Sequence, residues 1–444
     1  MREKEFLPQV KERLGIEELN GMQRRMMSTA GEARDVILLS PTGSGKTLAF
    51  ILPVLKLLRP GSGRVQAIVV APSRELVLQI AGVFQKIGAG MKTTPLYGGH
   101  KFEDEENSLK AGTDIVVATP GRLLDHINRR TIDVLPDRIL VLDEFDKSLE
   151  LGFETEMKKI VGRLKNVSHI ILTSATRAAS LPDFLKLTDP LVLDYLGDTV
   201  DVRRRLRVHR VDAGSKDKLA ALGALLENLW SDTGWGERVI VFVNHRESAE
   251  RVAAYLQEHG LPAVLYHGAL DQRDREMAVA RFNNGSRPVL VATDLAARGL
   301  DIKEVKAVVH YHQPLTPEAY VHRNGRTARV DADGDIFILA GPEEDIREYV
   351  DIDDEYWLDT EKHAERAPLP ETICFGAGKK EKISKGDILG FLVKECGLEP
   401  TQIGAIDVND HYALAAVTAP DYASLLAKAK GAPVKGKRRM VSLL

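Results

Sequence analysis

The stretch DVILLSPTGSGKTLAFILPVLKLL, residues 35–58, decides the architecture. It opens as a short apolar run, turns on closely spaced glycines and continues as a helix pattern, so it reads strand, loop, helix. In the loop SPTGSGKT (40–47), glycines let successive backbone N–H groups turn inward toward phosphate oxygens, and the helix amino terminus adds its dipole. Thr42, Gly43, Ser44 and Gly45 form the cradle, Lys46 reaches the terminal phosphates, and the Thr47 hydroxyl helps to hold Mg²⁺. Ser40 stands where the strict pattern begins with Gly. The plain alternative is a glycine-rich turn. The strand before and the helix after favour a nucleotide bound with Mg²⁺.

Working outward, the same rhythm repeats. QAIVVAP (66–72), DIVVATP (114–120), RILVLDE (138–144) and HIILTSA (169–175) join DVILLS in a first series. RVIVFVN (238–244), AVLYHG (263–268), PVLVATD (288–294), AVVHYH (307–312) and GDIFILA (334–340) make a second. Near-continuous apolar runs between helices read as parallel strands covered on both faces. Two α/β lobes follow, each with its functional loops at the carboxyl ends of its strands. The expected boundaries are 1–196 for the first lobe, 197–217 for the connection, 218–358 for the second lobe and 359–370 for a linker.

With a phosphate site in the first lobe, the acids of VLDEFDKSLELGF (141–153) acquire a role. Mg²⁺ is a hard ion that keeps several waters and takes one or two carboxylates. Asp143 would hold it, partly through water, and Glu144 would orient and deprotonate the attacking water. Acids after a strand otherwise form a solvated turn.

Residues 371–444 form a separate unit in the order βαββαβ, a small split-βαβ sandwich. They carry 11 Lys/Arg against 8 Asp/Glu, a net of +3 that leaves −6 for the remainder. The whole chain is at −3, so any nucleic-acid binding must come from local patches. Its 444 residues exceed one hydrophobic core, and 28% charged with 44% hydrophobic residues is an ordinary soluble composition. Cys374 and Cys396 have no metal-like spacing and fit a reducing compartment. MREKEFLPQV lacks a signal-peptide apolar core, and no segment approaches membrane-spanning length, so a cytoplasmic protein with no membrane partner is expected. A monomer is the expected state.

Two lobes with these motifs resemble the DEAD-box branch of superfamily 2 RNA helicases over nearly all of residues 1–345. The resemblance implies two tandem RecA-like parallel-sheet lobes, ATP hydrolysis and RNA as partner. Gln23 in LNGMQ, with Phe6 seventeen positions before it, is similar to the family's adenine-reading Q motif. APSREL (71–76), Gly98–Gly99 and TPGR (119–122) match RNA-backbone elements, which implies Arg74, Gly99, Thr119, Gly121 and Arg122 as RNA contacts. SAT (174–176), with Ser174 and Thr176, matches the segment linking hydrolysis to strand separation, and Asp146 and His322 join that coupling. QRDR (272–275) and ATDLAARGLDI (292–302) imply Arg275 and Thr293 on RNA and Gly299 and Asp301 on nucleotide. HRNGRTAR (322–329) supplies Arg326 and Arg329, which the family uses as arginine fingers.

The chain departs from the family pattern in places. Phe145 replaces the alanine of the family name, and its bulk is expected at the lobe interface. LNGMQ replaces a more usual Pro-Thr pair, YHQPL an acidic tetrapeptide, and Asn324 and Ala328 the usual Ile and Gly. The tail resembles the RNA-binding domain of the DbpA-like bacterial group, an RRM-like α+β domain, which implies 23S rRNA and large-subunit assembly. Its third strand, YALAAVT, has only Tyr412 as an aromatic, so a basic flank is the expected RNA surface rather than base stacking. That flank comprises Lys379, Lys380, Lys382, Lys385, Lys437, Arg438 and Arg439. Two rivals stay open: an RNA-binding scaffold uncoupled by Phe145, and a DNA-directed helicase of the same superfamily.

Overall fold

In the computed structural model, the described residues are 3–41, 43–99, 101–133, 138–177, 181–196, 206–294, 302, 305–327 and 334–444. The chain divides into two compact units, with residues 1–205 forming most of the first and residues from 206 onward most of the second.

The first unit is built on a seven-stranded sheet. Its strands are β1 (Asp35–Leu39), β2 (Ala67–Val70), β3 (Thr93–Leu96), β4 (Ile115–Ala118), β5 (Arg138–Leu142), β6 (Val167–Ser174) and β7 (Leu191–Asp194). They lie in the order β3-β4-β2-β5-β6-β1-β7, and every pairing is parallel. Successive side chains of a strand face opposite sides, so a parallel strand covered on both faces must be apolar at every position. Val36 and Leu38 accordingly enter one core with Phe50 and Ile80, while Ile37 enters the other with Leu140 and Leu172. The order β5-β6-β1 sets three loops side by side at the carboxyl edge: those beginning at Asp143, Ala175 and Ser40. Ser40 N–H donates to Ser174 O at 3.0 Å and ties two of them together.

A second seven-stranded parallel sheet organises the other unit: β8 (Leu206–Asp212), β9 (Val239–Val243), β10 (Ala263–Tyr266), β11 (Val289–Thr293), β12 (Ala307–His310), β13 (Gly334–Ala340) and β14 (Asp354–Glu355). Its order is β10-β11-β9-β12-β13-β8-β14. Leu206–Asp212 falls inside the stretch 197–217 read above as a connection, and it pairs with β13 over seven residues. Its sequence, LRVHRVD, mixes charged with apolar residues near the edge of the sheet, where one neighbour is the two-residue β14.

The tail adds an antiparallel sheet of β15 (Glu371–Phe375), β16 (Ile403–Val408), β17 (Ala413–Val417) and β18 (Val441–Leu443), ordered β16-β17-β15-β18. Ile373, Phe375, Ala413 and Ala415 face the helices Lys385–Lys394 and Tyr422–Gly431 and form its core. Cys374 and Leu414, on the opposite face, pack with Met277 of the helix Gln272–Asn283. Around them the Tyr412 hydroxyl donates to Glu276 at 2.8 Å, and Thr372 meets Asn284 and Ser286 at 2.9 and 2.7 Å. The stretch read as linker 359–370 is held to the second lobe as well: Arg366 pairs with Glu227 and lies over the Trp235 ring at 3.9 Å.

Candidate active site

The carboxyl edge of the first sheet gathers the phosphate loop and the acids. The helix Lys46–Leu57 starts from Gly45, whose φ of +87° suits glycine alone. A Cβ there would come within 2.6 Å of Gln23 Nε2. The loop is braced from outside. Asn20 caps the helix Gly21–Thr29 in a reciprocal box with Gln23, Asn20 Nδ2 donates to Ser44 O at 3.1 Å, and Gln23 Nε2 donates to Gly45 O at 3.4 Å. Lys46 is buried and donates to Ser40 O at 2.6 Å. Burial pulls its ammonium below the usual lysine range, against the attraction of Glu144 and Asp143.

Glu144 follows β5 in the left-handed region, φ +46°, ψ +53°. A non-glycine residue held there stores backbone strain, a feature of functional turns. The conformation lets Asp143 and Glu144 face the phosphate loop while Phe145 begins the helix Phe145–Glu150. The Thr173 hydroxyl donates to Asp143 Oδ1 and itself accepts from Glu144 N–H at 3.2 Å. Burial, then the neighbouring Glu144, pushes the Asp143 carboxyl up to about 7; a divalent cation bound there acts in the opposite sense.

A cavity of about 330 Å³ is lined by Gln23, Gly43, Gly45, Lys46, Thr47, Asp143 and Glu144, with Leu14, Ile16, Leu76 and Val83 as an apolar wall. Gly325 and Arg326 also line it, and both group with the first unit. The hard oxygens of Asp143, Glu144 and Thr47 suit Mg²⁺, and the cradle that a Cβ at Gly45 would fill suits a phosphate. Thr42, Gly299, Asp301 and Arg329 lie outside the described residues.

Phe6 is fully buried in the core with Met26 and Phe50. One expectation needs correction. Phe145, expected at a lobe interface, is 1% exposed and packs inside the first lobe, edge-on to Phe184 at 6.5 Å. The cause is the turn at Glu144, which directs the side chain at 145 inward.

Asp146 reaches the SAT segment. Its Oδ2 accepts from Ala175 N–H at 3.2 Å and from the Thr176 hydroxyl at 2.9 Å, while Ser174 Oγ donates to Thr176 O at 2.6 Å. Farther along the same edge, Arg74 lies over the Tyr97 ring at 4.5 Å, and Thr119 precedes the helix Pro120–Asn128, placing Gly121 and Arg122 in its first turn. In the second lobe, Thr293 and Asp294 line a cleft of about 530 Å³ with Asn244, His245 and Gly268. Arg275 lies in the first turn of the helix Gln272–Asn283, and His322 is buried. Sequence reading overlooked Arg323. It is fully buried and donates to both Asp294 oxygens, to Asn244 Oδ1 and to His312 O, pinning the ends of three strands together. Its place beside His322 in HRNGRTAR was the available signal.

In the tail, Lys379, Lys380, Lys437 and Arg438 are exposed. Lys435 donates to Lys382 O at 2.6 Å and so draws the two basic loops together.

The comparisons agree with this geometry. Residues 20–184 match the DEAD/DEAH box helicase family, 217–331 the helicase conserved C-terminal domain and 372–443 the DbpA RNA binding domain. The chain is 34% identical to the ATP-dependent RNA helicase DbpA of Escherichia coli, over 97% of this chain and 95% of that one. The chain belongs to the DEAD-box RNA helicases. A second relative, the DEAD-box ATP-dependent RNA helicase CshA of Bacillus subtilis, is 36% identical over 75% of this chain and 67% of its own. Among solved structures, S. cerevisiae Dbp5 bound to RNA and ADP BeF3 superposes with a TM-score of 0.68 at 26% identity, covering 76% of this chain and 88% of that one. Mss116 bound to ssRNA and UDP-BeF gives 0.69 at 27% identity, covering 80% and 78%. This DEAD-box helicase is therefore an RNA-dependent ATPase that binds RNA and nucleotide, which sets aside the uncoupled scaffold and the DNA-directed helicase. Among the described residues, no helix is long and apolar enough to cross a membrane.

Proposed function

We propose that this helicase opens or remodels structured 23S rRNA locally during large-subunit assembly, working as a cytoplasmic monomer. The match of residues 372–443 to the DbpA RNA binding domain carries the reading. The exposed lysines of the tail supply the phosphate contacts such a domain needs, and Met277 of the helix Gln272–Asn283 packs on its sheet face at Cys374 and Leu414, which argues against base stacking there.

In this reading Gly43, Ser44 and Gly45 hold the phosphates and Lys46 meets the terminal ones, with Gln23 bracing the loop from behind. Mg²⁺, held by Thr47 and partly through water by Asp143, neutralises phosphate charge when bound. Glu144 orients the attacking water and takes its proton. Arg326 and Arg329 meet the charge that develops as the phosphoryl group leaves, and Gly299 and Asp301 complete the nucleotide contacts. RNA is gripped through its backbone by Arg74, Gly99, Thr119, Gly121, Arg122, Arg275 and Thr293, hence without regard to sequence. Bound RNA favours the hydrolysis-competent arrangement and thereby switches the ATPase on. Selection of a target then falls to the tail, through Lys379, Lys380, Lys437 and Arg438.

The test is competition binding of the full chain to labelled 23S rRNA against excess homopolymer RNA. Binding that survives the competitor, and is lost when those four tail residues are replaced by alanine, supports the reading. Equal displacement by homopolymer overturns the 23S assignment.

A further inference from the structure

The helix Phe102–Lys110, FEDEENSLK, carries five charged residues, of which one, Glu105, is buried at 3% exposure. A buried carboxylate is costly unless it is paired and hydrogen-bonded. Glu105 is paired three times. Its Oε1 accepts from Tyr97 N–H at 2.8 Å, and its Oε2 accepts from Arg122 Nε at 2.5 Å and meets His126 Nε2 at 2.8 Å. Burial pushes the carboxyl up, yet the bonds from His126 and Arg122 outweigh it and hold the group below the usual carboxylate range.

The three donors come from two pieces of the edge read as RNA-facing. Tyr97 leads into Gly98–Gly99, and its ring lies beneath Arg74. Arg122 and His126 stand one turn apart on the helix Pro120–Asn128. Phe102 roofs the cluster: its ring stacks on His126 at 4.1 Å and faces the guanidinium groups of Arg122 and Arg129 at 4.9 and 4.3 Å. Gly99, at φ +94°, sits so close that a Cβ would come within 2.7 Å of Arg74 Nη1. One carboxylate thus ties the loop after β3 to the first turn of the helix Pro120–Asn128, and sets the plane of the Arg122 guanidinium.

We infer that Glu105 is the positioning residue of the first lobe's RNA grip. It holds Arg122 in place relative to the Gly98–Gly99 loop without itself touching RNA. The inference rests on the reading of Arg122 as an RNA contact. Glutamine at 105 keeps the size but presents an amide N–H₂ toward the Arg122 and His126 donors, so at least one of three donors loses its acceptor.

The test measures RNA-stimulated ATP hydrolysis across an RNA titration for Glu105→Gln, Arg122→Gln and the double variant, with the melting temperature and KM for ATP of each. The RNA concentration for half-maximal stimulation is expected to rise about tenfold in Glu105→Gln, the size of one lost charge-assisted hydrogen bond. The rate at saturating RNA and KM for ATP stay near those of the parent, and Glu105→Gln adds little once Arg122 is already replaced. An unchanged RNA requirement in Glu105→Gln, with Arg122→Gln impaired, overturns the positioning role. Parallel losses in melting temperature, KM for ATP and RNA requirement make Glu105 merely structural and overturn it too. An unimpaired Arg122→Gln instead removes the RNA contact on which the inference rests.

Discussion

Asp146 Oδ2 accepts a hydrogen bond from the Thr176 hydroxyl at 2.9 Å. The acid one residue beyond Phe145 is thereby joined to the segment after β6, and the same oxygen takes Ala175 N–H. The turn after β5 and the SAT segment are therefore tied together, and Phe145, turned inward, does not interrupt the contact. Thr176→Val removes the hydroxyl donor at little change in volume. A hydrogen bond to a charged group is worth about 1.5–3 kcal/mol, so duplex separation per ATP is expected to fall about tenfold or more. ATP turnover measured in the same reactions should fall far less. Equal losses in both would mean the contact supports hydrolysis rather than coupling.

Glu144 is the group assigned to the attacking water. Glu144→Gln keeps shape and removes the base, so turnover should fall roughly 10²–10⁴-fold. Nucleotide and RNA binding, followed by fluorescence anisotropy, should persist. Turnover within about twofold of the parent would remove the base assignment.

Phe145 fills the core between the helix Phe145–Glu150 and Phe184. Phe145→Ala should destabilise the first lobe by about 3–5 kcal/mol, seen as a lower midpoint in its denaturant unfolding curve. A midpoint equal to the parent's would place the ring outside the core after all.

His209 on β8 pairs with Asp354 and, at 3.2 Å, with Asp335, and its ring stacks on Phe337 at 4.8 Å. Burial lowers its pKa, but the bonds to Asp335 and Asp354 outweigh this and raise it above the ordinary 6.5. A raised histidine contributes stability that is complete below the unfolded value and is lost as pH rises through the folded one. The melting temperature of the parent should therefore exceed that of His209→Gln most clearly below pH 6.5, with the gap narrowing at higher pH. A gap that widened on raising the pH would contradict the assignment.

The two series of fully apolar strands were legible because both-sided burial demands apolar residues at every position, as in RILVL and VIVFV. β3 (TTPL) and β7 (LVLD) were not, because sheet edges tolerate proline and polar residues and runs of four are too short to show a period. β8 was hidden by its alternating charges. At the site, Lys46, Asp143 and Glu144 announced themselves through spacing after a strand. Glu105 and Thr173 did not: each acts through a partner more than a dozen residues away, and no local pattern marks such a contact. Phe145 misled because a motif gives residue order, whereas the left-handed turn at Glu144 decides direction.

Steady-state Mg-ATP hydrolysis by the full chain, with no RNA, with an unstructured homopolymer and with 23S rRNA, tests the central claim most directly. The account predicts little turnover alone and strong stimulation by 23S rRNA at concentrations where homopolymer has little effect. Equal stimulation by both RNAs would contradict a tail that selects the target, and hydrolysis independent of RNA would contradict the RNA switch itself.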